Sequence, residues 1–380
     1  MTGHARATTA AAESYALVAA ESGVAVAPDL PYRPRDPRTW RPGIGLIGAG
    51  GIAFAHLDAY RGAGYRVLAI CDQALERAAR RRDEFFPAAT ITADFREVLA
   101  RPEIEVVDIA TAPAPRVALI EAAIEAGKHV LSQKPFVLDL DVGERLAARA
   151  EGRGVRLAVN HNGRWAPHLA YMREAVRKGL IGDVIGVHVG LHWDHAWTKG
   201  TPFEAIDDLV LYDFGIHWFD FLASLIGPKG ESVYATRAYA TGQTLRPPLL
   251  AQALVAFAGG QASLAFDADT RYGALDTTCV VGTAGSLSSV GPNLREQSVT
   301  LCTAAGTARP ALEGCWFNDG FHGTMAELLC AIEEKREPAN SARSSLVSLA
   351  LCFAAVASAH SGVPERPGGV RRLAAAATPA

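Results

Sequence analysis

The sequence predicts two architectures in succession, a parallel doubly wound α/β sheet and then a mostly antiparallel α+β sheet. Three observations carry this. From residue 44 to about 159, short apolar runs alternate with helical patterns, as in consecutive βαβ units. The first run passes into GLIGAGGIA at 45–53, a glycine-rich turn between a strand and a helix start. Past residue 180 the runs lengthen, and Gly259-Gly260 separates two of them as a two-residue hairpin turn does.

In chain order, residues 1–41 combine an Ala-rich stretch with Pro28, Pro31, Pro34 and Pro37. Such a composition builds no core of its own, so a flexible N-terminal arm is expected, free to lie on a neighbouring subunit. Strands are predicted near 44–47, 67–71, 106–110, 129–131 and 156–159, with helices at 116–126 and 142–152 between them, giving a first domain over 42–160. A substrate domain over 161–340 follows, with strands near 184–192, 233–240, 250–257, 261–267 and 277–281 and a helix at about 215–225. Two late helices, near 321–335 and 343–359, lead to a C-terminal helix unit at 341–364 and a tail at 365–380. Residues 344–364 hold no Asp, Glu, Lys or Arg, but six Ser and His side chains make the stretch too polar for lipid, so a buried helix is expected rather than a membrane span.

The formal charge of −3 over 380 residues gives no electrostatic basis for binding nucleic acid. Cys71, Cys279, Cys302, Cys315, Cys330 and Cys352 are scattered, with no C-x-x-C pair, and read as reduced thiols of a cytoplasmic protein. The N-terminus shows no basic segment followed by a continuous apolar core, so no secretory signal is expected.

The glycine turn is shaped for a dinucleotide. Gly48 permits the tight turn, Gly50 lets the backbone approach the pyrophosphate, and Ala53 allows close helix packing, while the helix N-terminus offers free N–H groups. A second strand ends in Asp72, at the spacing of a ribose-binding carboxylate, which favours NAD over NADP. Arg77, Arg80, Arg81 and Arg82 follow and are expected on the solvated face of the next helix. At the end of the fifth strand, EAGKHVLSQKPF places Lys134 at the carboxyl edge of the sheet, where open α/β folds bind ligands. LYDFGIHWFD places Asp213, His217 and Asp220 across a turn and the start of a helix. His217 suits a general base, and a carboxylate such as Asp213 could set its tautomer. Ahead of these, His192, Trp193, His195, Trp197 and Lys199 combine aromatic faces with polar tips, as a carbohydrate ring requires. Arg164, Tyr212, Asn318 and His322 are further substrate-side candidates, and no metal site is expected.

Together these motifs resemble the glucose–fructose oxidoreductase, inositol dehydrogenase and rhizopine catabolism (Gfo/Idh/MocA) family. The resemblance runs from about residue 43 to 363 and rests on GLIGAGGIA, Cys71-Asp72, EAGKHVLSQKP, NGRW at 162–165 and D-x-G-x-H-x-x-D at 213–220. It implies an N-terminal Rossmann domain, an open-faced substrate sheet that builds dimers or tetramers, and Lys134, Asp213 and His217 as the catalytic set. It further implies that Gly48, Gly50, Gly51, Ile52, Asp72, Thr111, Gln133, Lys134 and Asn162 line the cofactor. The expected activity is oxidation of a secondary hydroxyl of a sugar, nucleotide sugar, aminosugar or cyclitol, with aminoglycoside or deoxysugar synthesis as the expected context. An NAD-retaining redox glycosidase and a non-catalytic NAD-binding sensor are the alternatives. Two departures stand out: Gln133 replaces the family's glutamate, leaving Lys134 less strongly held as a cation, and Arg116 stands where histidine is usual, which puts the loop after Thr111 in question.

Overall fold

The computed structural model describes residues 23–373. Six strands, β1 (Gly43–Ile47), β2 (Arg66–Cys71), β3 (Thr90–Thr92), β4 (Ile104–Ile109), β5 (His129–Ser132) and β6 (Leu157–Val159), form one sheet in the order β3-β2-β1-β4-β5-β6. Every pairing in it is parallel. Helices α1 (Ala53–Gly62), α2 (Leu75–Phe85), α3 (Phe95–Leu99), α4 (Pro113–Glu125) and α5 (Leu140–Gly152) make the crossovers. The strand order reverses at β1, so the carboxyl ends of β1 and β4 open a crevice of the kind that receives dinucleotides. β1 and β4 are buried almost throughout, the near-continuous apolar run expected of a strand covered on both faces.

The chain then passes through α6 (Pro167–Arg177) into an eight-stranded sheet. Its strands are β7 (Val184–His192), β8 (Gly230–Ala238), β9 (Leu250–Phe257), β10 (Gly260–Asp267), β11 (Leu275–Gly282), β12 (Gly285–Gly291), β13 (Ser298–Thr303) and β14 (Gly306–Ala308), in the order β14-β13-β12-β11-β7-β10-β9-β8. All neighbours are antiparallel except β7 and β10. Burial alternates along β9, so its two faces meet different surroundings. One face packs on helices α7 (Ile216–Ile226) and α9 (Ala342–Ser361), while α8 (Trp316–Glu333) leans on the first sheet and α1. The other face is open, with Tyr234 and Leu254 exposed side by side across β8 and β9.

The turn between β9 and β10 is Ala258-Gly259, one residue earlier than predicted: Gly259 takes the positive φ of 87°, and Gly260 already pairs with Phe257. A Cβ on Gly260 would lie 2.4 Å from the Ile185 carbonyl, so strand packing explains the second glycine. Strands β3, β12, β13 and β14 were not anticipated, being short or rich in Ser, Thr and Gly. Helix α9 is long and apolar enough to cross a bilayer, but it is mostly buried inside the protein. Its serines have interior work: Ser348 donates to Asp220 at 2.6 Å, Ser345 pairs with His161 at 2.7 Å, and Ser358 accepts from Ala235 N at 2.9 Å.

Of the expected arm, residues 1–22 lie outside the described part. Residues 23–41 run along their own subunit: the Glu333 carboxylate accepts backbone N–H bonds from Arg38, Thr39 and Trp40, and Tyr171 donates to Pro28 O.

Candidate active site

The glycine turn follows β1 directly. Gly48 has φ 101°, and a Cβ there would lie 2.9 Å from the Ala110 carbonyl and from Thr111, so only glycine lets the ends of β1 and β4 approach. Gly50 and Gly51 face open space, with nothing within 4 Å of an added Cβ, and Ile52 is 36% exposed at the head of α1. Asp72 accepts from Ala49 N at 2.8 Å and from Ala74 N at 2.9 Å, so the predicted ribose ligand also ties the glycine turn to the end of β2. The Thr111 hydroxyl is buried beside Gly48 without a partner among the described residues. Open glycines, a helix N-terminus and an orphaned hydroxyl at one crevice fit a dinucleotide pyrophosphate and its ribose.

One expectation about the neighbouring arginines is corrected. The Arg81 side chain is only 12% exposed, donates to Gly50 O at 3.2 Å and pairs with Glu84 at 3.1 Å. It braces the glycine turn from α2 instead of standing in solvent.

Lys134 lies two residues beyond the end of β5, at the carboxyl edge of the sheet, and its Nζ donates to the Asp213 main-chain oxygen at 2.8 Å and to Asp213 Oδ2 at 3.1 Å. These side chains are 14% and 9% exposed. Asp213 lies in a π-helical turn, Leu209–Phe214, closed by Gly215 N donating to Val210 O at 2.7 Å, just before α7. A Cβ on Gly215 would lie 2.7 Å from Leu211 O, so the glycine permits the widened turn. Such turns often mark functional positions.

His217, one turn further on, meets the edges of Trp218 and Trp316 at ring-centroid distances of 6.1 and 5.5 Å, and its buried Nδ1 has no partner among the described residues. Burial, reinforced by the Lys134 charge, holds its pKa well below the usual histidine value, so the ring is neutral at neutral pH and able to accept a proton. The expectation that Asp213 orients His217 is corrected: the Asp213 carboxylate is bound to Lys134. Asp220 is likewise committed elsewhere. It receives Arg164 Nε at 2.6 Å and Nη2 at 2.7 Å, together with Ser348. Burial opposes its ionisation, but Arg164 and His161 prevail and set its pKa at about 2.

Several other candidates take structural positions. Arg164 is buried, with its guanidinium divided between Asp220 and the Ala339 carbonyl. Tyr212 points into the interior against Phe353 and reaches Val137 O at 3.4 Å, because successive residues of the π-helical turn point in different directions. His322 pairs with Asp36 at 2.8 Å, on the face of α8 that meets the 23–41 segment, and Asn318 donates to Asp58 at 2.9 Å. Gln133 is buried with both ends of its amide engaged: Oε1 accepts from Lys134 N at 2.7 Å and Nε2 lies 3.1 Å from His56 Nε2. It therefore acts on the backbone of Lys134 and not on its ammonium. Arg116 answers the question of the loop after Thr111. It is 1% exposed and donates to the carbonyls of Thr111, at 2.6 Å, and Pro135, tying the end of β4 to the turn after Lys134. Burial draws its pKa down to about 10.

Trp193 and His195 stack at 6.0 Å, and Phe214 lies 4.3 Å from His195, so an aromatic wall stands beside the Asp213 turn. His195 is buried in that wall, which lowers its pKa to about 4, and Trp197 is 57% exposed at its end. Asn162 accepts from Trp316 Nε1 at 2.7 Å, which leaves its amide nitrogen without a protein partner among the described residues. Trp316 is the residue that sequence reasoning missed. It links Asn162 to His217 from α8, and no local pattern signals a contact 154 positions away. Also missed was the buried network beneath Lys134, in which His56 Nδ1 bonds Asp108 at 2.7 Å while Tyr60 donates to the same carboxylate oxygen at 2.6 Å. The Asp207, Asp208 and His360 cluster is already bridged by Arg237.

Residues 43–161 match the model of the oxidoreductase family with an NAD-binding Rossmann fold, and residues 169–288 match the GFO/IDH/MocA C-terminal domain. The chain is 29% identical over 329 residues to inositol 2-dehydrogenase of Rhizobium meliloti strain 1021, covering 83% of this chain and 96% of that one. It is 32% identical over 193 residues to D-apiose dehydrogenase of Paraburkholderia graminis, a match spanning 50% of this chain and about half (51%) of the relative. An oxidoreductase from Agrobacterium radiobacter, solved with NAD+, L-tartaric acid and magnesium, superposes with a TM-score of 0.78 at 20% identity over 87% of this chain and 99% of that one, which shows the shared fold. With both domain models matched in order along one chain, this protein belongs to the GFO/IDH/MocA oxidoreductase family and carries its NAD-binding Rossmann domain.

Proposed function

We propose that this chain is an NAD-dependent dehydrogenase that oxidises a secondary hydroxyl of a sugar, nucleotide sugar, aminosugar or cyclitol to a ketone, or runs the reverse reaction. The observation that carries the reading is the Lys134–Asp213 pair beside a neutral His217, at the carboxyl edge of the sheet that bears the glycine turn. The bound nicotinamide would supply the hydride acceptor. Neutral His217 takes the hydroxyl proton at its ring nitrogen Nε2, its Nδ1 being buried, and Lys134 donates a hydrogen bond to the oxygen as it gains charge. Asp213 holds the ammonium in place by two contacts. The Trp193 and Trp197 faces are suited to the C–H side of a sugar ring. Asn162, through its free amide nitrogen, and Thr111, through its free hydroxyl, serve as cofactor contacts.

NAD is preferred to NADP because the Asp72 carboxylate at the end of β2 would repel a 2′-phosphate. The exposed Tyr234 and Leu254 on the open sheet face support a homodimer or homotetramer built through that face. A cytoplasmic setting and a role in aminosugar or aminoglycoside synthesis complete the reading.

The test is absorbance at the reduced-nicotinamide band, with purified protein, NAD or NADP, and a panel of sugars, cyclitols and aminosugars. Sustained NADH formation is expected with at least one panel member. Tight NAD binding without NADH release from any of them would move the NAD-retaining hydrolase or the sensor ahead.

A further inference from the structure

A cleft of about 720 Å³ opens where residues 31–35 cross α6 and the C-terminal end of α7. Neither the glycine turn nor Lys134, Asp213 or His217 lines it. Its walls carry five arginines, Arg33, Arg35, Arg164, Arg173 and Arg177, and two carboxylates, Glu174 and Glu327. Both carboxylates are already engaged, Glu174 by Arg177 at 2.5 Å and Glu327 by Arg336 at 2.5 Å. Three of the other arginines are neutralised from outside the cleft: Arg33 by Glu313, Arg35 by Glu334, and Arg164 by Asp220.

Arg173 is the exception. Among the described residues it has no hydrogen bond and no carboxylate within 4 Å, and its one partner is the face of Trp165, 5.4 Å from the guanidinium carbon. The indole holds the guanidinium by its π-face and leaves the in-plane N–H donors unused. Burial, with the Arg164 charge adding to it, lowers the Arg173 pKa to about 10, which still leaves it fully charged at neutral pH. An unspent guanidinium among other arginines in a cleft of metabolite size calls for an oxyanion, which the guanidinium fork binds in bidentate fashion.

We propose that this cleft is a binding site for a phosphate group, free or carried as a monoester by a small metabolite, with Arg173 as its principal ligand and Arg177 at its rim. The site is separate from the dinucleotide crevice, and its binding is read directly, whether or not the chain turns over a sugar.

Isothermal titration of the full chain at low ionic strength, with saturating NAD to occupy the glycine turn, tests this with two probes, inorganic phosphate and glucose 6-phosphate. The expected result is saturable one-site binding, weakened at least tenfold by Arg173→Gln and unchanged by Lys178→Gln, which removes an exposed charge from the same helix end outside the cleft. Should Arg173→Gln fail to fold, Arg177→Gln at the exposed rim is expected to weaken binding several-fold. Tighter binding of the ester would assign the site to a metabolite, and equal affinity to free phosphate. Absence of saturable binding by the wild-type chain, or affinity unaltered in the arginine variants, would overturn the proposal.

Discussion

Asp213 and Asp220 belong to one eight-residue motif and each holds a cation, yet the two pairs differ in almost every physical respect. The Lys134–Asp213 pair engages one carboxylate oxygen, at 3.1 Å, and the Asp213 main-chain oxygen, sits at the edge of the crevice and leaves one ammonium proton for another acceptor. Arg164–Asp220 is two-pronged at 2.6 and 2.7 Å, with side chains 6% and 2% exposed; Ser348 also donates to the carboxylate, and the guanidinium also donates to the Ala339 carbonyl. A buried pair whose three guanidinium nitrogens are each bonded holds the fold, whereas a pair at the crevice edge with a donor to spare can meet a substrate. His217 lies between them in sequence and is bonded to neither. Its neutrality comes from burial and from the Lys134 charge.

The sharpest way to break this contrast is to remove Lys134. Lys134→Ala is expected to lower turnover by about 10²–10⁴ while NAD binding persists, read by steady-state rates and by cofactor titration. A variant that kept its rate would remove Lys134 from the reaction. Next in size is Gly48→Ala, which forces a side chain into a positive φ and against the Ala110 carbonyl. A loss of about 1–2 kcal/mol from the backbone alone is expected in denaturant unfolding, together with weaker NAD binding. The acid limb follows. Burial holds His161 and His195 at about 4 and His168 at about 3. Their folded values lie below the unfolded value of about 6.5, so the unfolded chain binds more protons and stability is lost as pH falls from about 6.5 toward 4. Melting at pH 5 should come roughly 5 °C or more below melting at pH 7.5. The smallest effect expected is that of Gln133→Glu. It removes the donor to His56 Nε2, costing about 1 kcal/mol, and leaves the pH profile of turnover in place because Gln133 touches only the backbone of Lys134. A displaced profile would restore the idea that the missing glutamate tunes the lysine.

How far the sequence could be read follows from how local each device is. The glycine turn is a matter of consecutive residues: Gly48 is demanded by its own φ, and Asp72 closes the same turn through Ala49 N. Lys134 was equally legible, since a strand end fixes its place. The arrangement of the 213–220 segment was not, because the π-helical turn adds a residue that no apolar periodicity marks. Arg164 and His322 could be assigned only through partners 56 and 286 positions away. Arg116 reads as an anomaly in sequence and becomes a strut only when the carbonyls of Thr111 and Pro135 are seen to converge on it.

The most direct test compares Asp213→Asn with Asp220→Asn by turnover and thermal unfolding in parallel. Asp213→Asn is expected to lose at least about 10² in rate and to melt close to the wild type. Asp220→Asn, which strands a buried guanidinium, is expected to lose about 3–5 kcal/mol of stability. A fully active Asp213→Asn, or an Asp220→Asn as stable as the wild type, would contradict the division of the motif into a working and a structural half.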